Sequence, residues 1–177
     1  IMSRRTVDFG IDLWTTNSAI ALMDHGDVRV LKNFKQSEIT PSVVRIDEQG
    51  GIIVGQGAYG RLYIDRENTF SAFKLLMGTR QAKTFIRSGR VLKPEELSAE
   101  VLKDLKATVK LRMPDEPDLT SAVITVPCYF EMTQSQATTA AAKLAGIEFA
   151  PLLQEPIAAS IAYGFMEKMP KGYWIVY

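Results

Sequence analysis

The sequence predicts a mixed α/β layer fold, a mixed β-sheet flanked by helices. Two observations carry this reading. Three apolar, strand-like segments near the start are separated by turn chemistry, and the second half alternates helical with strand-like segments. Hairpins leading into β-α-β units give a sheet with both antiparallel and parallel pairs.

The strand-like segments come first. Val7–Asp12 reads as a buried strand, and Ser18–Met23 and Val28–Asn33 as two more, with Asp24-His25-Gly26-Asp27 turning between them. Thr40–Ile46 and Gly51–Val54 read as a further hairpin, turning at Asp47-Glu48-Gln49-Gly50. A helix is expected over Ala58–Tyr63, then a mixed apolar stretch over Asn68–Met77 ending at Gly78. Residues 79–93 are polar and basic, a loop or an irregular strand.

The second half opens at Pro94, well suited to a first helical position, and Glu95 and Glu96 favour the positive end of the helix dipole. Leu97, Val101, Leu105 and Thr108/Val109 form its expected buried stripe, and Met113-Pro114-Asp115-Glu116-Pro117 stops it. Ala122–Val126 reads as a short strand ended by Pro127. Glu131–Ala145 reads as an alanine-rich helix with Ala137, Ala140, Ala141 and Leu144 on one face, closed by Gly146. Ile147–Leu153 returns as a strand, and Pro156 opens a helix running to about Tyr163, with Gly164 at its end. Tyr173-Trp174-Ile175-Val176-Tyr177 reads as a strand of bulky residues, so the polypeptide is expected to continue beyond it.

Composition narrows the function classes. The 177 residues are 46% hydrophobic and 23% charged, as in an ordinary globular domain. Lys and Arg number 21 against 20 Asp and Glu, giving a net charge of +1 and no basic footprint for nucleic acid or a membrane surface. No apolar run reaches the roughly 20 residues of a membrane span. Cys128 is the single cysteine, which rules out an internal disulfide; with no leader-like start, a cytoplasmic home is expected.

Asp12-Leu13-Trp14-Thr15-Thr16-Asn17-Ser18 is the strongest local signal. An Asp closes a buried strand, and small hydroxyl residues then make a tight turn. Such a turn can aim backbone N–H groups at a phosphate, and the Asp can hold Mg²⁺ through water. An Asp-started hairpin turn is the plainer alternative. Taken singly, Lys74 reads as a solvated lysine, Glu155 as a helix-capping carboxylate before Pro156, and Pro127 as a strand stop. His25 sits in a polar turn, Cys128 reads as inert packing, and no His/Cys cluster suggests zinc.

Several segments resemble the heat shock protein 70 (DnaK-type) chaperones, in family order. Phe9-Gly10-Ile11-Asp12-Leu13-Trp14-Thr15-Thr16-Asn17-Ser18 resembles their opening phosphate loop, and Ile39-Thr40-Pro41-Ser42-Val43-Val44 their next signature. Val54-Gly55-Gln56-Gly57-Ala58, Glu67-Asn68-Thr69 and the lysine-bearing Ala72-Phe73-Lys74-Leu75-Leu76-Met77-Gly78 follow. Ala122-Val123-Ile124-Thr125-Val126-Pro127-Cys128-Tyr129-Phe130 is the most specific match, and Glu155–Gly164 is nearly as specific. Residues 79–93 look short for the family. Met77-Gly78-Thr79 leading into Ala82-Lys83-Thr84 resembles a specialised bacterial branch.

The resemblance implies the actin-like (ribonuclease H-like) ATPase fold, in which two α/β lobes enclose Mg-ATP. This chain corresponds to lobe I, with subdomain IA over about 1–35 and 120–177 and subdomain IB over about 36–119. Lobe II and the peptide-binding domain are expected outside it, so the segment alone is expected to have negligible ATPase activity. It further implies a bacterial, stress-responsive protein-folding chaperone. ATP/ADP and Mg²⁺ are its cofactors, unfolded client polypeptides its substrates, and a J-domain co-chaperone and a nucleotide exchange factor its partners. Asp12 would hold the magnesium shell and help organise the attacking water. Thr15, Thr16 and Asn17 would meet the phosphates, Lys74 would face the γ-phosphate, and Glu155 would orient water or metal. Pro127 would relay nucleotide state.

Two departures stand out. Trp14 replaces a family glycine beside the nucleotide path, so either the loop reshapes or the ring swings out into solvent. Ser135 replaces an arginine of the family's interdomain relay, and Thr139 and Ala140 replace a basic–acidic pair, so altered coupling between domains is expected. These departures leave open a homologue that binds ATP without efficient turnover. An actin-like filament protein or a sugar kinase of the same fold is the other alternative.

Overall fold

The computed structural model describes residues 7–164. The strand expected at Tyr173–Tyr177 lies outside the described residues. Strands β1 (Phe9–Leu13), β2 (Asn17–Asp24) and β3 (Asp27–Val30) form an antiparallel meander. His25 and Gly26 both take positive φ, 51° and 96°, in the turn between β2 and β3, where the strand twist favours such a conformation. Strands β4 (Thr40–Pro41), β5 (Val43–Ile46) and β6 (Ile52–Val54) follow. The continuous strand expected over Thr40–Ile46 is broken at Ser42, because β4 pairs with β2 whereas β5 pairs with β6 and with β7 (Thr69–Ser71).

The helix expected over Ala58–Tyr63 is a single turn, α1 (Gln56–Tyr59), followed by turns. Gly55, Gly57 and Gly60 weaken helix propensity there, and Tyr63 and Ile64 stay exposed, so no apolar stripe supports a longer helix. The apolar stretch before Gly78 resolves into β7 and a 3₁₀ turn, Phe73–Leu76. The polar segment 79–93 holds a small hairpin of β8 (Lys83–Thr84) and β9 (Val91–Leu92), anchored by the fully buried Phe85.

Helix α2 (Pro94–Arg112) begins where the sequence places it, with Pro94 at the first position and the Lys93 N–H donating to Glu96 at 2.7 Å. Leu97, Val101, Leu105, Thr108 and Val109 are buried as expected. Ser98, Ala99 and Leu102 are buried too, because α2 packs on the sheets and on α3 (Met132–Leu144) at once. On α3 the expected face holds in part: Ala141 is buried and Ala137 packs against the core, whereas Ala140 and Leu144 are exposed and Thr138 and Ala142 are buried instead. Alanine methyls offer too little area to dictate facing, and the Thr138 hydroxyl tolerates burial by donating to the Gln134 carbonyl at 2.9 Å. Gly146, at φ 74°, ends the turn after α3.

Strand β10 (Val123–Val126) pairs parallel with β1, and β11 (Leu152–Gln154) pairs parallel with β10. The main sheet therefore runs β11-β10-β1-β2-β3, mixed in direction, with β4 also on β2. Helix α4 (Glu155–Gly164) follows β11 directly. Ile11, Leu13, Ile20, Leu22 and Ile124 form one buried face, continuous with the core side of α2. Strand alternation turns Asp12 and Thr125 to the other face.

The short hairpin is held to the neighbouring sheet by charge. Arg45, on β5, puts Nε and Nη2 at 3.0 and 2.9 Å from Asp65 Oδ2. Asn68 Nδ2 donates to Asp65 Oδ1 at 2.8 Å, and the Arg87 N–H donates to Asn68 Oδ1 at 2.8 Å. The Asn68 hydrogen bond, with help from Arg45 and Arg87, outweighs burial and holds the Asp65 carboxyl below the usual aspartate range. A carboxyl with a lowered folded pKa binds fewer protons folded than unfolded. Its stabilisation is therefore present above the unfolded value and is lost as pH falls through the folded value. Asp65→Asn is expected to lower stability at neutral pH and to flatten the loss of stability below about pH 4. Urea denaturation across pH checks this, and an unchanged slope contradicts it.

Candidate functional site

The carboxyl ends of β1, β10 and β11 lie side by side because the three strands are parallel. In open α/β sheets this edge is where ligands bind. Asp12, Thr125 and Glu155 all arise here, from β1, from β10 and from the first residue of α4. The register that pairs Ile11 with Ile124 sets Asp12 beside Thr125, and the Thr125 hydroxyl lies 2.6 Å from Asp12 Oδ1.

Lys74 reaches the same edge from the 3₁₀ turn. Its Nζ lies 3.2 Å from Glu155 Oε1, across 81 residues of sequence. The residue is only 5% exposed. Burial pushes the Lys74 ammonium below the ordinary lysine range, against the opposing pull of Glu155 and, more weakly, Asp12. The Phe130 ring covers the ammonium at 5.5 Å from its centroid, a cation–π contact. The solvated-lysine alternative is therefore overturned.

The turn that carries Lys74 is anchored on both sides. Phe73 and Met77 are buried, and the Ser98 hydroxyl donates to Met77 Sδ at 3.4 Å. Ala72 enters the turn at φ 56°, ψ 18°, a left-handed conformation that costs a non-glycine residue about 1 kcal/mol. Gly78 leaves it at φ 75°, where a Cβ would lie 2.8 Å from the Thr133 carbonyl carbon and 3.0 Å from the Gln134 nitrogen. These are backbone atoms in the first turn of α3 and cannot swing aside. Gly78→Ala is expected to cost roughly 2 kcal/mol or more, from handedness plus overlap. Chemical denaturation measures this, and a neutral substitution contradicts the close approach.

Trp14–Thr16 form the turn between β1 and β2, and Asn17 opens β2. Ser42 fastens this turn twice: its hydroxyl donates to the Trp14 carbonyl at 2.8 Å, and its N–H donates to the Thr16 carbonyl at 2.8 Å. Across a trans peptide the C=O and N–H point oppositely, so the Thr15 and Asn17 N–H groups face away from Ser42. Trp14 is accommodated without a left-handed backbone, and with 46% of its surface exposed.

Pro127 ends β10 and accepts the Phe130 N–H at 3.1 Å, closing a turn. That turn lifts Cys128 and Tyr129 to its tip, so Cys128 is exposed and not the packing residue expected. Ser135 lies apart from the Lys74 cluster, in a shallow surface groove on α3 with Met132, Gln136, Thr139 and Lys143. His25 is exposed and contacts Asp24 at 2.6 Å.

Sequence reasoning assigned no role to Thr125, Phe130 or Ser42, although all three lie inside segments it singled out. A polar residue on the non-core face of β10, next to a strand that ends in Asp, was the available signal for Thr125.

A family model described as Hsp70 protein matches the chain in two stretches, residues 8–91 and 81–177. The chain belongs to the heat shock protein 70 family. Membership implies the actin-like ATPase fold, with which the mixed sheet agrees, and a nucleotide-binding role in a chaperone, generally with Mg²⁺. For Hsp70 proteins it also implies client polypeptides and co-chaperones in general. Among the described residues no helix is long and apolar enough to cross a membrane.

The donor set fits a metal shared with a nucleotide. Among the described residues no group of three His, Cys, Asp or Glu can hold a metal alone. A single strand-end carboxylate beside a buried ammonium suits Mg²⁺, which keeps its waters and relies on substrate phosphates for its remaining ligands.

Glu155→Gln removes the negative charge of Glu155, the larger of its two contributions that oppose burial, so the pKa of Lys74 is expected to fall further. Nitrogen or carbon chemical shifts of the Lys74 side chain, followed against pH, read this directly. An unchanged or raised value contradicts the pairing.

Proposed function

We propose that this chain is lobe I of a chaperone ATPase domain and supplies the phosphate-facing half of its ATP site. The buried Lys74, paired with Glu155 and near Asp12 at the carboxyl edge of three parallel strands, carries the reading. Burying an ammonium is costly. A chain that only needed a stable core would be better served by an apolar residue at that position.

Thr15, Thr16 and Asn17 bind phosphate oxygens through backbone N–H groups and side chains, a curved-backbone anion site. Asp12 would hold Mg²⁺, which when bound would offset phosphate charge. Lys74 fixes a positive charge where the γ-phosphate changes its charge distribution, and a preorganised charge in a dry site lowers the barrier. Glu155 orients Lys74 and the attacking water. Closure of a second lobe completes the site. In the whole protein, ATP hydrolysis gates binding and release of unfolded polypeptides, with a J-domain co-chaperone and an exchange factor as partners. Pro127, two residues after Thr125 and at the root of the Cys128–Tyr129 turn, relays nucleotide state, and Ser135 weakens the charged part of that relay.

A second reading, ATP binding without efficient hydrolysis, draws on Trp14. The test is single-turnover Mg-ATP hydrolysis by the full-length protein. Lys74→Ala is expected to slow it by about a hundredfold or more, as for other lost charge-stabilising groups. Trp14→Gly is expected to leave it within about twofold, since Trp14 is 46% exposed with no left-handed backbone and surface changes are usually worth under about 0.5 kcal/mol. Hydrolysis seen only with Trp14→Gly establishes the second reading, and hydrolysis indifferent to Lys74 overturns the first.

A further inference from the structure

We propose that Thr125 is a positioning residue that fixes the Asp12 carboxylate, leaving one carboxylate oxygen for the nucleotide's metal. The inference rests on the nucleotide-site reading above and assigns a role that reading does not contain.

The Thr125 hydroxyl has one proton and two candidate acceptors. Asp12 Oδ1 lies at 2.6 Å and the Ile11 carbonyl at 3.5 Å. The shorter contact makes Asp12 Oδ1 the acceptor to which the hydroxyl donates. A β-branched side chain in a strand has a stiff first torsion, so the hydroxyl is held by its own backbone. That backbone is itself fixed, since β10 lies between β1 and β11 with parallel pairing on both sides. The donor is therefore preorganised without help from any ligand.

This bond has consequences for Asp12. The bond takes one lone pair of Oδ1 and restrains the carboxylate plane, so bidentate chelation of a cation at Asp12 is disfavoured. Oδ2 remains for one hydrogen bond or one metal-bound water. Lys74 is the nearby positive charge, but its hydrogen bond goes to Glu155. The two acids thus have separate keepers: Thr125 for Asp12, Lys74 for Glu155. A carboxylate that rotated freely would approach Lys74 or chelate the metal, and either motion would disturb the spacing between cation, phosphate and ammonium.

The experiment is calorimetric titration of the full-length protein with ADP, in saturating Mg²⁺ and in EDTA. The readout is the ratio of the two affinities, which cancels any general loss of folding. Thr125→Val keeps the shape and removes the donor; Thr125→Ser keeps the donor; Asp12→Asn removes the metal-facing charge. The Mg²⁺-dependent gain in affinity is expected to shrink by about tenfold in Thr125→Val, the scale of one hydrogen bond to a charged group. Thr125→Ser is expected to restore it, and Asp12→Asn to abolish it. A gain lost in Asp12→Asn but kept in Thr125→Val overturns the positioning role alone, as does a gain lost equally in Thr125→Val and Thr125→Ser. A wild-type affinity indifferent to Mg²⁺ overturns the nucleotide-site reading and this inference with it.

Discussion

A buried ammonium must have an anion beside it, and much of this structure serves that requirement at Lys74. The side chain is almost wholly buried, and Glu155 meets it at 3.2 Å from a helix that starts 81 residues later in the chain. Bringing the two together needs β11 on β10 and β10 on β1, so that Glu155 emerges at the same sheet edge as Asp12. It also needs the Phe73–Leu76 turn packed on α2, with Gly78 just beyond it meeting the backbone of α3, which its lack of a Cβ allows. The Phe130 ring then closes over the ammonium. Electrostatics, sheet topology and one glycine thus converge on a single charge.

The legible parts of the fold were those with strong local rules. Pro94 with Glu95 and Glu96 marked the start of α2 because first-turn chemistry is local, and its apolar spacing marked the buried stripe. The hairpin at His25-Gly26 was legible for the same reason. Where partners decide, the sequence was ambiguous. Ser42 interrupts an apolar run because two sheets compete for its neighbours, which no local rule states. The facing of α3 depends on α2, since alanines carry little directional information. Cys128 looked like packing because it follows an apolar strand, but the turn closed by Pro127 and Phe130 carries it outward.

The candidate site divides in the same way. Asp12, Lys74 and Glu155 could be singled out from their segments, and the structure brings Lys74 and Glu155 into contact with Asp12 nearby. The groups that hold them, Thr125, Ser42 and Phe130, act through register and approach, which sequence spacing does not encode. Trp14 illustrates the limit most clearly. A large residue in place of a family glycine suggested a conflict in the loop, yet Trp14 takes no left-handed backbone, and Ser42 fixes the Trp14 and Thr16 carbonyls. Ser135 is a different kind of departure. It lies in a surface groove on α3 with Met132, Gln136, Thr139 and Lys143.

The most direct test of the central claim is a crystal structure of the full-length protein grown with Mg-ADP and inorganic phosphate. The account predicts phosphate density between the Thr15–Asn17 backbone and Lys74 Nζ, with magnesium-bound water on Asp12. Nucleotide bound at another surface, or phosphate groups bound with Lys74 and Asp12 left out of contact, would contradict it.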